Sequence, residues 1–285
     1  MGFPRLTNLG FQITRWLSVH KLLTGGAAII TIAGILWATL NARGSNIHQV
    51  ILTVWLCIFF LFALALAFLK SRQARLALAG PSIHNVFHKI RDAYYSLTNE
   101  DTPTTVMEHI GQCLASFADV FSVLAGASCR ACIKQVSCSG RAGEHHLRSV
   151  QVTTFCRHPS TPDPIQKLDQ DYVSDNTDYL ALFRQAPGNY FYSNDLLQEK
   201  GYQNSHWTPE RVREGKFDYR STIVWPIRKI LAGGDHHTWG FLCVDSIRPH
   251  VFVIDLDFFI GAAVADALYV LLKEMDDRIK REEAQ

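Results

Sequence analysis

Hydrophobic positions are distributed unevenly along this chain. Residues 22–40 and 50–69 form two apolar runs that contain no Asp, Glu, Lys or Arg, separated by a polar stretch with Asn41, Arg43, Asn46 and His48. Each run is close to the roughly 20 residues that cross about 30 Å of hydrocarbon, so the pattern predicts a two-span transmembrane hairpin over 22–69. A cleaved signal peptide fits less well, because no small-residue cleavage site follows Leu40 and a stronger apolar run comes at once.

The basic residues orient the hairpin. Arg5, Arg15 and Lys21 precede the first run, only Arg43 lies between the runs, and Lys70, Arg72 and Arg75 follow the second. The positive-inside rule then places both termini in the cytoplasm, with 1–21 as a basic cytoplasmic segment of a multi-pass protein of a bacterial-type inner membrane.

Residues 70–100 read as an amphipathic linker helix. Gly80-Pro81 is expected to break or kink it. Beyond that pair Ile83, Val86, Phe87, Ile90, Tyr94 and Leu97 recur at helical spacing, either packing on their own domain or forming a dimer seam.

Residues 101–285 have the pattern of one domain. Thr102-Pro103 is a capping residue followed by proline at the first helical position, and Val106, Ile110, Cys113, Leu114, Phe117, Phe121 and Leu124 form the apolar face of a helix ending near Gly126. Strand-like runs follow at 128–136, 147–156, 190–193, 221–230 and 238–246, and a closing helix spans about 255–279. Two hairpins flank an irregular middle, which predicts an α+β fold: an antiparallel sheet with helices segregated to one side.

Charge and cysteine usage narrow the partners. Lys and Arg total 28 against 26 Asp and Glu, yet no acidic residue precedes Asp92. An acid-free basic segment beside the apolar runs favours anionic lipid. No Lys/Arg stripe interleaved with aromatics occurs in the rest of the chain, so direct DNA or RNA binding is not expected. The seven cysteines are expected to be reduced in a cytosolic domain. Cys129 and Cys132 are three apart in a strand-like run and point to opposite faces, which argues against a zinc knuckle; no metal or cofactor is expected.

The stretch from Tyr219 through Ser221, Trp225, Pro226 and Arg228, then Trp239-Gly240-Phe241-Leu242-Cys243-Val244-Asp245-Ser246, then Phe252 before the closing helix, resembles the C-terminal half of a GAF domain. The likeness covers about 101–275, and the segment beginning Tyr190-Phe191-Tyr192 resembles the part before that family's variable pocket loop. It implies a small-molecule sensor module of a signalling protein, often dimeric. GAF domains of cyclic-nucleotide phosphodiesterases carry an Asn-Lys pair, a Phe and then an Asp-Glu pair; here Asp245-Ser246, Phe252 and Leu256-Asp257 stand there, so that subtype's ion pair is lost.

In such a fold the pocket lies between the sheet and the irregular middle, about 159–219, which is rich in aromatics and arginines suited to a heterocyclic ligand such as a nucleotide. Phe155, Tyr179, Phe183, Asp195, Tyr219 and Arg220 are the candidate ligand contacts. No P-loop, GxSxG or HExxH motif occurs, so no catalytic residue is expected. A thiol-dependent methionine sulfoxide reductase built on Cys129 or Cys132 is the enzymatic alternative. With no output domain evident after the closing helix, the signal is expected to leave through the bilayer, through homo-oligomerisation or through a partner protein. The layout is similar to antiphage effectors that perturb the inner membrane on ligand binding; the alternative is an anchored signalling module.

Overall fold

The computed structural model describes residues 34, 37, 46–99, 102–138, 150–159, 170–184, 190–205, 213–215, 219–230 and 236–283. The chain divides into compact units, Met1–Leu78 and Ala79–Gln285.

In the first unit Gly34 and Trp37 are helical, and helix α1 begins at Asn46 and runs to Thr98. A Cβ on Gly34 would lie 2.6 Å from Leu56 Cδ2, so the missing side chain lets this helical segment approach α1 closely. Val54, Trp55, Ile58, Phe60, Leu61, Phe62 and Leu64 are 52–68 % exposed. Among the described residues no helix is long and apolar enough to cross a membrane. The described side chains of the second apolar run are those of Val50 and 53–64, and the first run lies outside the described residues apart from Gly34 and Trp37.

Gly80-Pro81 does not end the helix. Pro81 sits inside α1 at the cost of one backbone hydrogen bond. The loss is offset by the burial of Ala79, Val86, Ile90, Ala93 and Leu97 in the core of the second unit. Of the predicted apolar face, Ile83, Val86, Ile90 and Leu97 pack on the domain, while Phe87 and Tyr94 stay exposed.

Helix α2 (Pro103–Ala125) starts where the capping signal places it. The Thr102 side chain accepts a hydrogen bond from Thr105 N, and Gly126 closes the helix at φ 64°. The strands are β1 (Arg130–Cys138), β2 (Val150–His158), β3 (Gln170–Tyr172), β4 (Phe191–Ser193), β5 (Ser221–Ile230) and β6 (His236–Ser246). A 3₁₀ turn and helix α3 (Thr177–Arg184) lie between β3 and β4, and helix α4 (Ile254–Glu283) follows β6. The sheet has six strands in the order β3-β2-β1-β6-β5-β4, antiparallel throughout. The expected mix of helices with an antiparallel sheet holds, but the helices are not all on one side, because α3 packs on the face opposite α2 and α4; the short edge strand β3 is an addition to the expected elements.

One face of the sheet carries the larger core. Ala131, Ile133, Ile223, Trp225, Ile227, Leu242 and Val244 meet α2 and α4 there. Trp225 is the keystone: its indole N–H donates to Phe258 O at 3.1 Å and its ring packs on Phe121 at 5.6 Å. A Cβ at Gly261 would fall 2.2 Å from that ring, so only glycine lets α4 approach so closely. The pairing skips Phe155 in β2 and Trp239 in β6, leaving each as the extra residue of a β-bulge. Both rings turn to this face and meet edge to face at 5.3 Å.

Candidate functional site

The opposite face of the sheet is composed differently. Cys132, Val152, Val224, Phe241 and Cys243 form its apolar floor, and α3 lays Tyr179 and Leu182 on it, with Phe183 packed beside them. Tyr179 stacks on Phe241 at 4.7 Å with the planes 16° apart. Around this small apolar patch the strands present polar and ionisable groups that are buried or half-buried.

Strand alternation delivers these groups. Arg130, Cys132 and Lys134 share this face on β1, as do Thr222 and Val224 on β5, and Phe241, Cys243 and Asp245 on β6. Thr222 donates to Asp245 Oδ1 at 3.0 Å, and an Arg130 guanidinium nitrogen lies 3.8 Å from Asp245 Oδ2. The same guanidinium stands 5.8 Å from the Tyr219 ring centroid. Asn204 Nδ2 donates to Tyr202 OH at 3.1 Å and to Tyr219 OH at 3.2 Å. Lys134 pairs with Asp171 at 3.6 Å, and Asp171 also accepts from the Ser205 hydroxyl, which ties the chain after β4 to the edge strand β3.

Burial perturbs the titration of this group. It pushes the Asp178 carboxyl up to about 7, against a hydrogen bond from its neighbour Tyr179 N at 3.0 Å. It also raises Asp245, with Arg130 and Thr222 pulling the other way. The Tyr179, Tyr202 and Tyr219 hydroxyls are pushed well above the usual phenol range by the same desolvation. All three phenols are therefore neutral at pH 7, and Asp178 exchanges its proton near neutrality.

The candidates read from sequence fall into separate places. Tyr179, Phe183 and Tyr219 lie on this polar face. Phe155 lies on the other side of the sheet, against Trp239 and the helices. Asp195 and Arg220 bind each other, Arg220 Nε to Oδ1 at 3.1 Å and Nη2 to Oδ2 at 2.5 Å. Asp195 accepts further from Leu197 N at 3.3 Å and from Gln198 Nε2 at 3.1 Å, so it pins the turn after β4. Burial is the largest single effect and pushes the Asp195 carboxyl up, but the Arg220 hydrogen bonds, the Leu197 N–H and the Arg220 charge together outweigh it and hold the group below the usual carboxylate range. Asp178, Asp245 and Arg130 were not among the candidates. For Asp245 a signal existed, a carboxylate at the alternate positions of an otherwise apolar strand; for Asp178 none did.

The cysteines separate by face as their spacing predicts. Cys129 belongs to the helix-side core and Cys132 to the opposite floor. Burial pushes the Cys129 thiol up to about 12. Asp257, in the position of the phosphodiesterase pattern's acidic pair, accepts from Val253 N at 2.6 Å in the first turn of α4. Among the described residues no group of three or more His, Cys, Asp or Glu side chains is placed to hold a metal ion.

Fold and site together define an α+β domain whose antiparallel sheet buries helices on one face and a polar, ionisable cluster on the other. No family model matches the sequence, and no curated protein matches it. Solved structures similar to it include the GAF domain of an Acinetobacter phosphoenolpyruvate-protein phosphotransferase, at 10 % identity over 67 % of this chain and 94 % of that one, with a TM-score of 0.41. A far-red cyanobacteriochrome photoreceptor is similar at 16 % identity, covering 59 % of this chain and 86 % of the other, TM-score 0.38. A type II free methionine-R-sulfoxide reductase from Thermoplasma acidophilum is similar at 13 % identity, covering 59 % and 95 %, TM-score 0.38.

Proposed function

We propose that the domain is a small-molecule sensor whose ligand sits against the polar face of the sheet, anchored to a membrane by its N-terminal helices. The observation that carries the reading is the placement of Asp178 and Asp245 on one sheet face, both with carboxyls raised by burial and both set among neutral phenols and the Arg130 guanidinium. A purely structural core gains nothing from two such carboxyls, since each costs desolvation that its present partners do not offset. A ligand bringing N–H donors would offset it.

The chemistry favours a planar, nitrogen-rich heterocycle with an anionic substituent, a description that nucleotides meet. Its N–H groups would reach the carboxyls, its ring would lie beside Tyr219 and Tyr202, and Arg130 would take the anion. The sequence resemblance to GAF sensors supports the same reading. The anchor rests on the exposed apolar surface of α1 around Trp55 and Phe62, which runs around the helix rather than along one stripe.

Thermal unfolding of the full chain in detergent, against a panel of cyclic and linear nucleotides and common metabolites, tests the reading. One compound should stabilise the protein saturably, by about 2.7 kcal/mol at 100 times its dissociation constant. A flat response across the panel, together with unchanged unfolding of Asp245→Asn, would assign the polar face to folding alone.

A further inference from the structure

The floor of the polar face contains two thiols that neither the core nor the proposed ligand requires. Cys132 in β1 and Cys243 in β6 are Cα partners in an uninterrupted antiparallel register from Arg130 to Gln135. Both side chains belong to the same apolar cluster, at 8 % and 4 % exposure, and both are free thiols. Directly opposed residues of an antiparallel pair have Cα atoms about 4.5–5.5 Å apart, inside the range a disulfide spans.

We propose that Cys132 and Cys243 form a peroxide-oxidised pair, closing a reversible cross-strand disulfide between the adjacent central strands β1 and β6. The remaining described cysteines are placed differently. Cys57 is exposed on α1, whereas Cys113, Cys129 and Cys156 lie with the helix-side core, where burial raises all three thiols. Either sulfur of the pair can attack first and the other then resolve.

The chemistry balances with hydrogen peroxide as oxidant. With Cys132 attacking first, its thiolate attacks one peroxide oxygen, the O–O bond breaks, and hydroxide leaves and takes up the thiol's proton as water, giving a sulfenic acid. Cys243 then attacks the Cys132 sulfur, the S–O bond breaks, and water leaves with the Cys243 proton. In total two thiols and one peroxide become one disulfide and two waters, a two-electron oxidation of the protein. Among the described residues the short helix α3 covers this floor, peroxide is a small oxidant, and a thiol reductant reverses the bond.

Full-length protein treated with hydrogen peroxide, blocked with an alkylating reagent and digested without reduction tests this directly. The expected result is one linked peptide pair joining Cys132 to Cys243, both residues lost to alkylation and both recovered after dithiothreitol. Cys132→Ser should leave Cys243 alkylated under the same treatment. Linkage of Cys132 to Cys129 or Cys156, sulfinic acid at Cys132 with Cys243 still free, or two free thiols after peroxide would each overturn the proposal. The wild-type map alone decides among these, so a variant that fails to fold does not obscure the outcome.

Discussion

Arg220 grips Asp195 at two points, Nε on Oδ1 at 3.1 Å and Nη2 on Oδ2 at 2.5 Å, and the carboxylate is almost fully buried at 3 % side-chain exposure. The pair fastens the turn after β4 to the start of β5. Arg220 N also donates to Ser246 O and its carbonyl accepts from Leu196 N, both at 2.8 Å, so the same residue stitches β6 to that turn.

Removing one member of this pair strands the other. Arg220→Ala should destabilise the domain by about 3 kcal/mol, because it leaves a buried carboxylate without its cation. Arg220→Lys should lose less, keeping the charge but not the two-point geometry. Chemical denaturation midpoints check both, and saturable ligand stabilisation should survive in Arg220→Lys.

Asp178 makes stability depend on pH in the opposite sense to a salt-bridged aspartate. Its folded carboxyl titrates near 7 and its unfolded one near 3.8, so the folded state holds the extra proton between those values. Stability is therefore greatest below about 4, falls as pH rises towards 7, and levels off above, the whole penalty being on the order of 4 kcal/mol. Asp178→Asn should remove this slope and raise the melting temperature at pH 8 more than at pH 5.

Gly261 is fixed by the ring it touches. Gly261→Ala places a methyl 2.2 Å from Trp225, a collision that either α4 or the indole must relieve. We expect a loss of about 2–3 kcal/mol. The double variant with Trp225→Phe should recover part of it, which a denaturant-based double-mutant cycle measures.

The proposed membrane anchor rests on the exposed apolar surface of α1 and can be checked by fractionation. Full-length protein expressed in a bacterial host should stay in the membrane pellet through high salt and alkaline carbonate, and be released only by detergent. Release by carbonate would argue for a peripheral association.

Much of the sheet was legible from period-2 patterning. Ser221–Ile230 was read at its observed limits, and the cap at Thr102 with the glycine at 126 bracketed α2 correctly, because local chemistry alone sets those ends. The helix through Pro81 was not legible: the local rule favours a break, and the burial of Val86, Ile90 and Leu97 that overrides it is a tertiary fact.

The site was legible only in part. Alternation places Phe155 opposite Val152 in β2, but nothing in the sequence says which side of the sheet receives the long helices, and Phe155 faces them. Asp195 and Arg220 were read as separate ligand contacts, but 25 residues separate them and only the fold shows that they bind each other. Asp178 was not singled out from the sequence; its burial comes from the way α3 lies on the sheet.

The central claim, that the polar face is a ligand site, is tested most directly by capture. Purified full-length protein is equilibrated with a small-molecule extract, washed, and heated, and the released compounds are identified by mass spectrometry. The account expects a nitrogen heterocycle retained in stoichiometric amount by the wild type and by Phe155→Leu, and retained at least tenfold less by Asp245→Asn and Tyr219→Phe. Equal retention by all four proteins, or loss confined to Phe155→Leu, would contradict it.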